Sequence, residues 1–466
     1  MVEERSPYHF LGTNTVVMKR YKQLPAVDEE VARRIDSYPV KFWASVDRDP
    51  REDMHAFMQY PAMMVPEIQR ELVKVAYESQ AGINNVLDPF VGAATTMTSC
   101  MPFGLNFTGQ DINPLAVLIS RTKAGPFDER VLEDSIEQVF AAIAADTLTA
   151  IEADFPNIDK WFQPQVKVEL SKICRTIRAE GELWVRRYLW VALAETVRLT
   201  SNSRTSTYKL HIRPANELGS RNLSVVQVFQ AIVMQNLQDL KSFKCALHEH
   251  INGDTYKGHL AIYLQDSSKK ISPPCGEGQY DLLITSPPYG DNLSTVPYGQ
   301  FSYLPLQWID LDDIDVSIAK SDWLRTTQEI DRRSLGGCIL MELETPMTYL
   351  AERSPTYRST IRKLKDLPKD RPSRVTSFLY DLDGTLAPIV KLMRPNAYLV
   401  WIVGNRHVGG KEIPTDKILE ELLKLQNVIL IKRFGRQILY RRMAARNQRA
   451  GMMRKEHVLV FRKLGD

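Results

Sequence analysis

Asp88-Pro89-Phe90-Val91-Gly92-Ala93-Ala94-Thr95-Thr96 is the stretch on which the reading of the fold turns. Ahead of it, residues 83–87 set apolar side chains around two asparagines, which reads as a short strand entering a tight turn. Behind it, residues 93–101 continue as a helix, residues 106–110 make a second short strand, and Asp111 stands at that strand's end. Strand, glycine turn, helix, strand, acid is the opening of a doubly wound α/β sheet, whose ligands bind beyond the carboxyl ends of the strands. Gly92 lets the backbone approach a ligand closely. Asp88 can orient the loop and reach a cationic ligand. An acid roughly 20 residues further on is placed to take ribose hydroxyls. Close packing of a helix on a strand asks for the same turn, so its meaning depends on what accompanies it.

The second informative stretch is Asp281-Leu282-Leu283-Ile284-Thr285-Ser286-Pro287-Pro288-Tyr289. An apolar strand, residues 280–285, runs straight into a hydroxyl, two prolines and an aromatic ring. The prolines stiffen the turn and have no N–H to compete for neighbouring carbonyls. A carbonyl and the Ser286 hydroxyl can then both accept from an amino group, and Tyr289 can stack on a flat ring. An aromatic amine is a poor nucleophile because its lone pair is delocalised. Two acceptors on its hydrogens favour pyramidal nitrogen and free the lone pair to attack a sulfonium methyl. A proline-rich strand cap is the purely structural alternative.

Together, DPFVGAATT and TSPPY resemble the cofactor loop and catalytic motif of amino DNA methyltransferases, especially the cytosine-N4 branch. Other segments match in order. Tyr60-Pro61-Ala62-Met63-Met64-Val65-Pro66-Glu67 resembles the segment that covers the methionine end of S-adenosylmethionine (SAM). Gly109-Gln110-Asp111-Ile112-Asn113-Pro114-Leu115-Ala116 is similar to the segment that holds its ribose and adenine. Leu264-Gln265-Asp266-Ser267 resembles the next cofactor segment. Val403-Gly404-Asn405-Arg406, residues 413–416 and the terminal EHVLVFRK look like the last three strands. The resemblance covers about residues 55–125 and 255–464.

It implies an α/β fold: a Rossmann-like SAM-dependent methyltransferase sheet with a helical insertion and an antiparallel final strand pair. Residues 1–55 are a lead-in, irregular or helical, and 56–125 the SAM-binding half. Residues 126–255 are a mainly helical insertion and candidate DNA-recognition region, and 256–466 the catalytic half, with its own insertion at about 291–375. The implied cofactor residues are Tyr60, Pro61, Asp88, Pro89, Phe90, Gly92, Thr95, Thr96, Asp111, Ile112, Asp266 and Ser267. The implied catalytic residues are Ser286, Pro287, Pro288 and Tyr289, acting on a base flipped out of duplex DNA. Two departures stand out. Ala94 occupies the second glycine of the usual G-x-G-T-T loop, where a positive φ would strain it. Ser286 replaces the commoner Asp or Asn. Cytosine N4 is the first reading of the target, adenine N6 the second, RNA a third, and a non-catalytic DNA-binding relative a fourth. A separate restriction endonuclease, or another defence component, is the partner the family suggests.

The helical periodicity extends to residues 65–79, 131–145, 182–199 and 225–247. Strands are expected at 259–264 and 398–403, with a late antiparallel pair at 428–432 and 457–462. The polar, basic stretch 201–222 offers Arg204, Lys209, Arg213 and Arg221 for groove or phosphate contacts. The basic runs 353–374 and 432–463 are alternative DNA surfaces or simply solvated faces.

Of 466 residues, 44% are hydrophobic and 25% charged, ordinary for a globular chain, and the net charge of +4 says little about partners. No run of about 18 apolar residues indicates a membrane span. The N-terminus does not resemble a secretory signal. Five scattered cysteines fit a reducing cytoplasm. Asp381-Leu382-Asp383-Gly384-Thr385-Leu386 matches a phosphatase nucleophile motif but lacks the long strand before it, and reads instead as helix. Pro274-Cys275 lacks the strand-end context of a cytosine-C5 nucleophile. Residues 404–411 have the wrong spacing for a phosphate loop. Cys245, His248, His250 and His259 lack a recognised zinc spacing, so no metal is expected.

Overall fold

The computed structural model describes residues 25–44, 53–80, 82–221, 223–269, 278–437 and 455–465. Cys275 and the most basic part of the C-terminal run, 438–454, lie outside them.

One seven-stranded sheet organises the chain. Its strands are β1 (Asn85–Asp88), β2 (Asn106–Asp111), β3 (Leu260–Leu264), β4 (Tyr280–Thr285), β5 (Met393–Gly404), β6 (Val428–Gln437) and β7 (Lys455–Lys463). They lie side by side in the order β3-β2-β1-β4-β5-β7-β6. The first five are parallel neighbours, and β7 runs antiparallel between β5 and β6. Strand order reverses between β1 and β4. Their connections therefore leave in opposite directions and open a crevice beyond their carboxyl ends.

Alternation of side chains builds two cores. Val86, Leu282, Ile284, Val400, Ile402, Val458 and Val460 face one layer. Their neighbours Leu87, Leu283, Leu399, Trp401, Val403, Leu459 and Phe461 face the other. That period of two is the strand geometry itself. Every residue of β4 is buried, as a central strand covered on both faces requires.

The asparagines that blur the periodicity of β1 have a use. Asp281, at the start of β4, accepts the backbone N–H groups of Asn84 and Asn85 at 2.7 and 2.8 Å. Asn85 Nδ2 donates to the Gln279 carbonyl, and Asn106 Nδ2 donates to Asn85 Oδ1. Arg394 pairs with the other Asp281 oxygen at 2.8 Å. Polar side chains thus register the strand starts where apolar ones would only bury.

Helices cover both faces. On the first lie α1 (Ala26–Ser37), α2 (Pro66–Ser79), α3 (Thr95–Cys100), α4 (Pro114–Lys123), α5 (Glu129–Ala145), α6 (Pro164–Ala179), α7 (Leu183–Thr200), α8 (Val225–Ala246) and α9 (Tyr298–Trp308). On the second lie α10 (Asp370–Leu392) and α11 (Thr415–Lys424). Helices α5 to α8 share the sheet's own core: Tyr188, Leu189 and Trp190 of α7 are fully buried there. The lead-in joins it too. Asp28 of α1 is wholly buried, accepts from the Tyr398 hydroxyl at 2.8 Å and pairs with Arg462 at 3.0 Å. The DLDGTL sequence lies inside α10. Among the described residues no helix is long and apolar enough to cross a membrane, and no His, Cys, Asp and Glu cluster could hold a metal ion.

Asp281→Ala is expected to destabilise the protein by about 2–4 kcal/mol, because two strand N–H groups and Arg394 lose their acceptor. Urea unfolding measures this, and a change below about 0.5 kcal/mol would contradict the registering role.

Candidate active site

The glycine turn leaves β1 through two left-handed residues, Gly92 at φ +50° and Ala94 at φ +63°. Ala94 is the departure noted in the sequence, and the backbone there takes the conformation that costs an alanine about 1–2 kcal/mol. Side chains of α4 and β2 hold the turn. Ser120 Oγ donates to the Gly92 carbonyl at 3.2 Å, and Lys123 Nζ to the Ala93 carbonyl at 2.8 Å. Lys123 is fully buried, and burial pushes its pKa down to about 7. Asp111 accepts the Gly92 N–H at 2.9 Å on one oxygen and the Asn113 N–H at 2.8 Å on the other. Burial raises its pKa to about 6.

Asp88 is fully buried behind the turn. Its Oδ1 accepts the Thr285 hydroxyl at 2.6 Å and the Phe90 N–H at 3.1 Å. Burial raises its pKa to about 6. Thr96 donates to the Ile284 carbonyl at 3.3 Å. Asp88 ties β1 to β4 and Thr96 ties α3 to β4, and neither side chain lines the crevice.

The crevice is a cleft of about 830 Å³, counting the part open to solvent. Tyr60, Pro61, Pro89, Phe90, Gly92, Thr95, Asp111, Ile112, Asp266 and Ser267 line it, as does Ser286 with Pro288 from the β4 side. Ser267 accepts from Gln110 Nε2 and donates to the Pro89 carbonyl, bracing the loop from below. Tyr60 accepts from Asn113 Nδ2 at 2.9 Å, and its ring lies 5.7 Å from that of Tyr298. Pro287 and Tyr289 do not line the cleft. The Tyr289 hydroxyl is 3.1 Å from Ser286 Oγ, and burial holds its pKa well above the usual phenol value.

Sequence reasoning missed several residues around this cleft. Asp291 follows the proline turn, is fully buried, and pairs with Arg406 at 3.0 Å and Arg374 at 3.4 Å. An acid directly after SPPYG and an arginine at the end of β5 were the available signals. Asn292, Tyr298, Ile330, Ser334 and Leu335 also line the cleft, from the 291–375 insertion, with no local pattern to announce them.

The proposed DNA contacts divide into two pairs. Arg204 and Lys209 are exposed and border a smaller pocket beside Tyr208 and Phe301. Arg213 instead donates to the Ser203 carbonyl and pairs with Glu217. Arg221 donates to the Ser201 and Leu199 carbonyls at 2.7 and 2.6 Å, closing the end of α7. In the alternative run 353–374, Arg353 pairs with Asp383 and Arg374 with Asp291.

No protein-family model matches the chain. It is 31% identical over 411 residues to the type II methyltransferase M.MvaI of Kocuria varians, spanning 86% of this chain and 88% of that one. The chain belongs to the type II DNA methyltransferases. More distant relatives of this methyltransferase are M.BsoBI of Geobacillus stearothermophilus, 19% identical over 87% of this chain and 84% of that one, and M.AvaI of Anabaena variabilis, 20% identical over 88% and 84%. Among solved structures, a SAM-dependent methyltransferase of Methanosarcina mazei covers 83% of this chain and 95% of its own at 9% identity and a TM-score of 0.28. The rRNA methyltransferase aviRa of Streptomyces viridochromogenes covers 86% of each at 8% identity and the same TM-score of 0.28.

The methyltransferase acts on DNA, and the resemblance of its motifs implies SAM as the methyl donor. The cleft suits that donor: Gly92 presents bare backbone, Asp111 has spare acceptor capacity, and Asn292 keeps a buried oxygen with no partner.

Ala94→Gly trades left-handed strain against a buried methyl, about 1 kcal/mol each way, so stability should stay within about 1 kcal/mol. Ala94→Val should cost about 2–4 kcal/mol, because a β-branched side chain fits that backbone poorly. Thermal unfolding of both variants checks this, and a valine variant as stable as wild type would contradict it.

Because burial raises the folded pKa of Asp88 from 3.8 to about 6, its contribution to stability is complete below about pH 4 and lost as pH rises through about 6. Asp88→Asn should therefore gain on wild type by about 1–2 kcal/mol between pH 5 and pH 8. Urea unfolding at both pH values tests the sign, and a gain that grows toward acid would refute it.

Proposed function

We propose that this methyltransferase modifies the N4 amino group of cytosine at a specific site in duplex DNA. The observation carrying the proposal is that the proline turn and the glycine turn end adjacent strands and open on one cleft. A donor on the glycine loop and an amino group at the proline turn would meet there. Serine as the first residue of that turn, where the resemblance points to the cytosine-N4 branch, supports the choice of base.

Bound SAM supplies a methyl group made electrophilic by its sulfonium. The chain supplies position. In the proposed mechanism the target base leaves the stack and docks at the proline turn, where Ser286 borders the cleft. Its amino hydrogens go to Ser286 Oγ and the Pro287 carbonyl. Ser286 is engaged by the Tyr289 hydroxyl at 3.1 Å, so an arriving base replaces that bond and frees the Tyr289 ring to stack on it. Most of the rate then comes from holding two reactants in line. Tyr60, Pro61, Pro89, Phe90, Gly92, Thr95, Asp111, Ile112, Asp266 and Ser267 are proposed to hold the cofactor, with Asp88 and Thr96 bracing the loop. Arg204 and Lys209 are the proposed DNA contacts, and a separate restriction endonuclease reading the same site is the implied partner.

Methyl transfer from labelled SAM to unmethylated plasmid, followed by nucleoside mass spectrometry, should yield N4-methylcytosine. N6-methyladenine would refute the choice of base and keep the site. Ser286→Ala and Tyr289→Ala should each lower turnover about 100-fold, with S-adenosylhomocysteine affinity unchanged. Near wild-type turnover in either would sink the catalytic assignment.

A further inference from the structure

Asn292 lines the cleft at only 3% exposure, and its Oδ1 has no hydrogen-bond partner. Native proteins rarely leave a buried acceptor unmade without a reason. Its neighbours fix which end of the amide is which. The Asp331 carboxyl accepts the N–H groups of Gly299 and Gln300 at 2.7 and 3.2 Å, at the start of α9, and a third hydrogen bond from the Asn292 side chain. A carboxylate only accepts. The NH2 of Asn292 therefore faces Asp331, which leaves the carbonyl as the buried, unpartnered end of an amide that borders the cleft.

This oxygen is well suited to a cation. A buried carboxylate on the far side of the amide draws its protons and enriches the carbonyl in negative charge. The ring of Tyr298, six residues on, also lines the cleft and lies against that of Tyr60 at 5.7 Å. Aromatic faces beside a polarised carbonyl favour a cationic group. The cofactor has two cationic centres, and of these only the α-ammonium of its amino-acid end carries N–H donors. The amino group of a target base is neutral and already has two acceptors at the proline turn.

We propose that Asn292, held by Asp331, receives the α-ammonium of the cofactor through Oδ1. This rests on the cleft being the SAM site. Asn292 is then a binding residue that no sequence motif marks, supplied by the segment between the proline turn and α9.

The test is calorimetric binding of two ligands to the full chain: S-adenosylhomocysteine, which retains the ammonium, and its analogue lacking the α-amino group. Asn292→Ala should weaken S-adenosylhomocysteine about 10- to 100-fold, the range for a hydrogen bond to a charged group. It should leave the des-amino analogue within about twofold of wild type, which also shows that the cleft is intact. Equal loss for both ligands, or no loss for either, would overturn the assignment. Unchanged binding with lost DNA methylation would overturn it too, by giving the oxygen to the target base. If wild type bound neither ligand, the cofactor reading of the cleft would fall first, and this inference with it.

Discussion

A 2.6 Å hydrogen bond from the Thr285 hydroxyl to Asp88 joins the carboxyl ends of β1 and β4. The next residue along each strand begins one of the two informative turns, Pro89 on one side and Ser286 on the other. The spacing between glycine loop and proline turn is therefore set by one buried contact. The same two strands are pinned at their starts by Asp281, which reaches from β4 to the N–H groups of Asn84 and Asn85. One carboxylate at each end fixes the relative height of the strands, and the chemistry sits where they stop. The parallel order with its reversal at this point makes the crevice, and the two acids make it precise enough to use.

The cleft is costly to build. Asp88, Asp111 and Asp331 all have pKa values raised to about 6 by burial, and Lys123 has one lowered to about 7. Ala94 is left-handed and fully buried. Strain and desolvation collected around one cavity are the usual mark of a working site, since a sheet needing only stability would avoid them. Each costly group also has a visible partner: backbone N–H groups for Asp111 and Asp331, a loop carbonyl for Lys123.

Much of this was legible from the chain alone. The strands that end in the two turns, the acid at the end of β2 and the antiparallel final pair all follow from local pattern and turn chemistry. What escaped was non-local. Asn85 looks like a flaw in β1 until the Gln279 carbonyl, almost 200 residues later, accepts from its side chain and Asn106 donates to it. Asp331 and Asn292 lie in a segment with no periodic signal, and only the fold brings them to the cleft. Nor does charge alone announce that Arg213 and Arg221 turn their guanidinium groups to carbonyls of the chain itself. The helices between 129 and 246 read as an insertion in sequence but share the sheet's core, because their apolar faces are long enough to reach it.

The central claim is that the backbone of the glycine turn, opposite the proline turn, receives the cofactor. The most direct measurement is S-adenosylhomocysteine binding by calorimetry to wild type and to Gly92→Val, with unfolding curves to show that both are folded. Gly92 is left-handed and lines the cleft, so a branched side chain there both strains the turn and fills the approach. One-to-one binding by wild type, weakened at least about tenfold in a folded Gly92→Val, is the result the account predicts. Undiminished affinity in that variant would contradict it and move the cofactor elsewhere.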